Sequence, residues 1–127
     1  MTDIPAVLIV KDDVKSLFNT AFNLREVGFK VYQATNADTA IERLVLHDDI
    51  RVMYTDIDVD GAREGLKLSA VVRHRWPQIK VMVTSGRRLG DLDIMPDGVM
   101  FMQKPYQYET LTRSVTRLSA SYRPSQA

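Results

Sequence analysis

The chain has 127 residues, 45% hydrophobic and 26% charged, with a formal net charge of +1. This predicts one folded domain with a core, and it excludes a nucleic-acid-binding surface as the main function, because such surfaces need a strong basic excess. No apolar stretch approaches the ~20 residues of a membrane span, and residues 1–5 lack the layout of a signal peptide. Without cysteine there are no disulfides or thiolate metal sites. We therefore expect a cytoplasmic protein that binds neither nucleic acid nor membrane.

The first half of the chain alternates apolar runs with amphipathic stretches. Residues 6–10 are apolar throughout, which is typical of a strand covered on both faces. A helix is predicted next, capped by Asp13 and stopped by Gly28, and residues 29–34 predict a second strand. Asn36 is the predicted cap of a second helix, and residues 50–55 predict a third strand. The predicted inner faces are Val14, Leu17, Phe18, Ala21 and Phe22 in the first helix, and Ala37, Ala40, Ile41 and Leu44 in the second.

The second half continues the alternation. Residues 65–76 predict a third helix that ends before Pro77. Strands are predicted at residues 80–84 and 99–103, and any helix within residues 87–98 must be short because glycine and proline interrupt it. A last helix spans residues 108–122, with Leu111, Val115 and Leu118 pointing inward. Residues 1–122 thus form the predicted domain, and residues 123–127 a frayed tail.

Five strands that alternate with about five helices predict right-handed βαβ units and a parallel sheet covered by helices on both faces. At this length the expected fold is α/β, a flavodoxin-like doubly wound sheet with strand order 2-1-3-4-5. In such a sheet, ligands bind at the carboxyl ends of the strands.

Charged and polar residues follow those strand ends. Asp12 follows the first strand, Asp56 the third, Thr84 ends the fourth and Lys104 follows the fifth. Close carboxylates repel one another, and Mg²⁺ resolves this with oxygen ligands. A carboxylate nucleophile, a metal, an ammonium and a hydroxyl are the groups needed to form an aspartyl phosphate.

The order of these residues resembles the receiver domain of two-component response regulators over essentially the whole chain. The family has Lys-Pro after its fifth strand, which here is Lys104-Pro105. The resemblance implies that Asp56 is the phosphoacceptor and that Thr84 and Lys104 contact its phosphoryl group. It implies Mg²⁺ ligands from Asp12, Asp56 and the backbone carbonyl of Asp58. Phe101, three residues before Lys104, falls where the family often has an aromatic switch residue.

Two residues depart from the family pattern. The first member of its acidic pair is Lys11, and the proline of the loop after the acceptor is replaced by Asp60. Asp13 is one position too late to replace the missing acid and is expected to cap the first helix. Exchanging a negative for a positive charge ~8 Å from a divalent ion costs ~2–4 kcal/mol at an effective dielectric of ~40–80. Lys11 is therefore expected to weaken Mg²⁺ binding and to slow phosphorylation.

The expected function is that of a phosphoacceptor rather than an enzyme. It would receive a phosphoryl group from a histidine kinase or a phosphotransfer protein, and pass the signal to a downstream protein partner. The chain itself would be a monomer or a weak homodimer. The alternative is an interaction module independent of phosphorylation, in which the Lys11 ammonium takes the place of the metal charge.

Two other site types resemble the loop that begins at Asp56. Haloacid-dehalogenase-type phosphatases share its D-x-D pair, but their nucleophile follows the first strand. An EF-hand calcium loop needs glutamate at its twelfth position, which here is Lys67. Both types are disfavoured on these grounds.

Overall fold

The computed structural model describes residues 4–57, 62–86 and 95–120. Its strands are β1 (Ala6–Val10), β2 (Lys30–Ala34), β3 (Ile50–Asp56), β4 (Lys80–Ser85) and β5 (Val99–Gln103). Its helices are α1 (Val14–Glu26), α2 (Ala37–Leu46), α3 (Ala62–Arg75) and α4 (Tyr108–Ala120). The predicted tail at residues 123–127 and Asp58 lie outside the described residues, as does most of the predicted short helix at 87–98. Within the described ranges, no helix has the length and apolar character to cross a membrane.

The strands form one sheet in the order β2-β1-β3-β4-β5, and every neighbouring pair is parallel. The predicted flavodoxin-like topology is therefore confirmed. The order reverses between β1 and β3, so the carboxyl ends of these two strands border a crevice, as in other doubly wound sheets.

The core lies in two layers, one on each face of the sheet. On one face, Leu17 of α1 and Leu111 of α4 pack with Val7 and Ile9 of β1. The other face is covered by α2 and α3, whose buried residues pack against Leu8. Successive side chains of a strand point to opposite faces, so the continuous apolar run of β1 serves both layers.

The predicted helix caps are present. The Asp13 side chain accepts a hydrogen bond from the backbone N–H of Lys15 at 3.2 Å, and the Asn36 side chain accepts one from Thr39 at 2.8 Å. Both satisfy backbone donors that the first turn of a helix leaves unpaired. Gly28 follows α1 with φ +101°, a conformation that glycine adopts without a Cβ clash.

The predicted inner face of α1 is partly wrong. Leu17 and Ala21 are buried as expected, but Val14, Phe18 and Phe22 are 68%, 62% and 53% exposed. The buried stripe is Leu17, Thr20, Ala21 and Leu24. Two neighbouring stripes of α1 are apolar, and only one of them faces the flat surface of the sheet.

Candidate functional site

Strand pairing brings the predicted acceptor and its neighbours to one edge of the sheet. Asp56, the last residue of β3, lies opposite Thr84 of β4. Beyond the strands, the backbone N–H of Ile57 donates to the Thr84 carbonyl at 3.0 Å. The backbone N–H of Lys104 donates to the Ser85 carbonyl at 2.8 Å. These bonds fix the backbone at the exits of β3 and β5.

Asp56 and Lys104 form an ion pair. Lys104 Nζ donates to Asp56 Oδ2 at 2.6 Å, and the two side chains are 31% and 6% exposed, respectively. A charge-assisted hydrogen bond this short, in a largely desolvated setting, orients the carboxylate strongly. The structure therefore joins two of the predicted site residues directly.

Thr84 is fully buried, and its hydroxyl oxygen is inaccessible to solvent. Because Thr84 is paired with Asp56 across the ladder, the two side chains leave the sheet on the same face. This face is the one covered by α1 and α4, as shown by Met82, two residues before Thr84. The Thr84 side chain thus leaves the sheet on the same face as the Asp56 carboxylate.

Asp12 and Asp56 share the wall of a small cavity of about 50 Å³. One or two carboxylates completed by water are the protein ligands that Mg²⁺ commonly uses, so this pair of oxygen donors fits a magnesium ion. Among the described residues, no group of three or more acidic or histidine side chains could hold a metal. Asp58, the predicted carbonyl ligand, lies outside those residues.

Lys11 also lines that cavity, and it turns toward α1. Its side chain is buried, with Lys11 Nζ 2.9 Å from Ser16 Oγ and 5.3 Å from the centroid of the Tyr54 ring. Burial lowers the pKa of Lys11, the negative charge of Asp56 opposes that shift, and the positive charge of Lys104 adds to it. The ammonium therefore neither escapes into solvent nor forms a direct ion pair with Asp56.

A pair of tyrosines beside the site was not foreseen from the sequence. The hydroxyls of Tyr54 and Tyr106 are hydrogen-bonded to each other. Burial raises the pKa of both phenols, so both remain protonated at neutral pH. Tyr54 comes two residues before Asp56, and Tyr106 two residues after Lys104. The two residues are 52 positions apart in the chain, so no local spacing in the sequence indicated their contact.

Phe101 lies in β5, on the opposite side of the sheet from the tyrosine pair. It is partly buried and packs against the core layer that α2 and α3 cover. Packing against the core is a sufficient reason for a phenylalanine at position 101. The role of Phe101 as an aromatic switch residue stays a prediction.

No protein-family model matches the chain. Among solved structures, a response regulator receiver protein from Sinorhizobium medicae is 23% identical, with TM-score 0.78 and coverage of 94% of this chain and 97% of that one. The receiver domain of the hybrid histidine kinase CckA is 25% identical, with TM-score 0.72 and coverage of 90% and 98%. Response regulator TrrA from Thermotoga maritima, in complex with Mg²⁺-BeF, is 19% identical, with TM-score 0.77 and coverage of 91% and 99%. The chain thus has the fold of response regulator receiver domains, and the resemblance predicted from the sequence is confirmed.

Proposed function

We propose that this protein is a phosphoacceptor receiver in two-component or phosphorelay signalling, and that Asp56 accepts the phosphoryl group. The observation that carries the proposal is the 2.6 Å contact between Asp56 Oδ2 and Lys104 Nζ at the edge of a receiver-like sheet, with Thr84 opposite. A signalling domain, rather than a classical enzyme, is the role that this fold supports.

In the proposed transfer, a carboxylate oxygen of Asp56 attacks the phosphorus atom of a phosphohistidine. A P–O bond forms and the P–N bond breaks, and the imidazole leaves with the electron pair of that bond and takes up a proton. Lys104 balances negative charge on the phosphoryl oxygens, and the Thr84 hydroxyl donates a hydrogen bond to one of them. The product is an acyl phosphate on Asp56.

Asp12 and Asp56 are the side chains that would hold Mg²⁺, with the backbone carbonyl of Asp58 as a further proposed ligand. When bound, the ion would offset the negative charge of the transferring group. Lys11, buried at the same cavity, places a positive charge beside those ligands. We expect Mg²⁺ to bind more weakly than in receivers with two acidic residues at this position.

The proposed donor is a histidine kinase or a phosphotransfer protein, and the proposed output is binding to a downstream protein. One structure with this fold is the receiver domain of a hybrid histidine kinase, which supports a donor of that type. A cytoplasmic monomer or weak homodimer is the proposed form of the protein.

The test is labelling by acetyl phosphate with Mg²⁺ varied, followed by intact-mass measurement. Wild type should gain the mass of one phosphoryl group, and Asp56→Asn should gain none. Asp13→Asn is the matched control, because it removes a neighbouring carboxylate that caps α1 and does not line the cavity at Asp56. If wild type stays unlabelled under conditions that label a receiver domain with two acidic residues at this position, the proposed function is wrong.

A second candidate is a receiver-like interaction module that does not depend on phosphorylation. The specific observation in its favour is the burial of the Lys11 ammonium beside Asp56, where its charge partly replaces that of a metal. Lys11→Asp should then raise Mg²⁺ affinity sharply, as measured by calorimetry. Unchanged affinity would count against this view of Lys11.

A further inference from the structure

A cleft of about 330 Å³ lies between the start of α1 and the segment that joins β5 to α4. Two lysines, three hydroxyl-bearing residues and a proline line it: Lys11, Lys104, Ser16, Tyr106, Tyr108 and Pro105. Of these lining residues none is acidic. Two positive charges with hydroxyl groups around them form a surface suited to an anion.

Lys11 is the buried cation of this cleft. Only 5% of it is exposed, yet across residues 4–57, 62–86 and 95–120 its one hydrogen-bond acceptor is Ser16 Oγ, at 2.9 Å. An ammonium carries three N–H donors, so two are available to a ligand or to water. The Ser16 hydroxyl accepts from Lys11 and therefore keeps its own hydrogen to donate.

The charge of Lys11 is not cancelled by a direct ion pair. Asp56 is paired with Lys104, and in the part of the chain that the structure describes no carboxylate lies within 4.0 Å of Lys11 Nζ. Asp13 acts on Lys11 through space, but its side chain is exposed and caps α1. A buried ammonium without a contacting anion is costly, and an anion in the cleft would relieve that cost.

We propose that this cleft binds a phosphate group, either as inorganic phosphate or as part of a small phosphorylated compound, between Lys11 and Lys104. A tetrahedral dianion matches two ammonium groups and the Ser16 hydroxyl donor better than a monovalent carboxylate does. The volume is at the lower end of small-molecule sites, which range from about 300 to 1,000 Å³. Binding here does not require Asp56 to be phosphorylated.

The experiment is a titration of the ¹⁵N-labelled protein with inorganic phosphate, in the presence of a chelator and with ionic strength held constant by chloride. Inorganic phosphate is not a phosphodonor, so labelling of Asp56 cannot contribute. The amide signals of Ser16, Tyr106 and Tyr108 should shift together along one saturable curve. Lys11→Met should weaken binding by about tenfold or more, because it removes a charge-assisted hydrogen bond.

Lys15→Met is the matched control, since Lys15 is exposed on α1 and does not line the cleft. Its affinity for phosphate should equal that of wild type. Shifts that do not saturate, or equal weakening by both lysine substitutions, would show only general attraction to a positive surface and would overturn the proposal. If Lys11→Met fails to fold, Ser16→Ala provides the same comparison, and unchanged affinity in that variant would overturn it as well.

Repeating the titration with methyl phosphate distinguishes the two possible ligands, which are inorganic phosphate and a small phosphorylated compound. Tighter binding of methyl phosphate would identify a phosphorylated compound as the ligand, and tighter binding of inorganic phosphate would identify the free ion. Acetyl-phosphate labelling of Asp56 is a separate readout, so this proposal and the proposed phosphoacceptor function can fail independently.

Discussion

The Tyr54 hydroxyl in β3 is hydrogen-bonded to the Tyr106 hydroxyl in the segment that follows β5. Tyr54 is completely buried, and Tyr106 packs against the same core layer. The bond therefore ties the central strand that carries Asp56 to the segment that carries Lys104.

Removing one hydroxyl of this pair should cost more than removing both. Tyr54→Phe leaves the Tyr106 hydroxyl without its buried partner, and we expect a loss of ~1–3 kcal/mol in the free energy of unfolding. Tyr54→Phe combined with Tyr106→Phe should recover part of that loss, because neither tyrosine hydroxyl is then left without the other. Urea denaturation of the two single variants and the double variant measures this, and strictly additive losses would contradict it.

The ion pair between Asp56 and Lys104 should also show coupling. Lys104→Met removes the ammonium from a carboxylate that is only 6% exposed, at an expected cost of ~1–3 kcal/mol. In the Lys104→Met background, Asp56→Asn should be less costly than in wild type, with a coupling energy of ~0.5–3 kcal/mol. The measurement is a double-mutant cycle by chemical denaturation. A coupling energy of zero would mean that the contact does not stabilise the folded protein.

The lowered pKa of Lys11 predicts a specific pH dependence of stability. The folded protein releases the Lys11 proton below the ordinary value of 10.5, so over that window the unfolded chain binds more protons. The unfolding free energy of wild type relative to Lys11→Met should therefore rise as pH increases toward 10.5. Urea titrations of both proteins at several pH values test this. Subtracting the two unfolding free energies removes the contribution of every titratable group that the two proteins share. If the unfolding free energy of wild type relative to Lys11→Met falls as pH increases toward 10.5, the prediction is wrong.

Gly65 in α3 has no room for a side chain. A Cβ there would lie 2.7 Å from Ile57 Cβ and 3.1 Å from Ile57 Cα. Ile57 is buried, and it is the residue that follows Asp56 in the chain. Gly65→Ala should cost ~1–3 kcal/mol in unfolding free energy and slow labelling of Asp56, because the strand exit must shift.

Gly28→Ala is the matched control for that substitution. Its φ of +101° makes alanine unfavourable by about 1 kcal/mol, yet a Cβ there meets no atom within 4 Å. It should destabilise the protein without changing the rate at which acetyl phosphate labels Asp56. Equal labelling rates in the two alanine variants would show that the exit of β3 tolerates the shift.

The strand ends and the position of Asp56 opposite Thr84 could be predicted because each depends on a short stretch of chain. The apolar run of residues 52–55 ends at Asp56 whatever the rest of the protein does, and parallel pairing then places Thr84 opposite Asp56. The inner face of α1 could not be assigned, because Phe18 and Phe22 are as apolar as Leu17 and only the docking angle on the sheet selects between them. The contact between Tyr54 and Tyr106 joins residues 52 positions apart, which periodicity does not reveal.

The direction in which the Lys11 side chain points could not be predicted from the sequence either, because its contact with Ser16 depends on how α1 docks on the sheet.

A metal ion exchanges with the surrounding solution, and its occupancy follows the supply of that ion in the cell. The Lys11 side chain is covalently attached at the exit of β1 and is present in every molecule. Part of the positive charge near Asp56 is thus supplied by the amino-acid sequence itself. We expect the folded protein to keep its melting temperature when a chelator removes divalent ions.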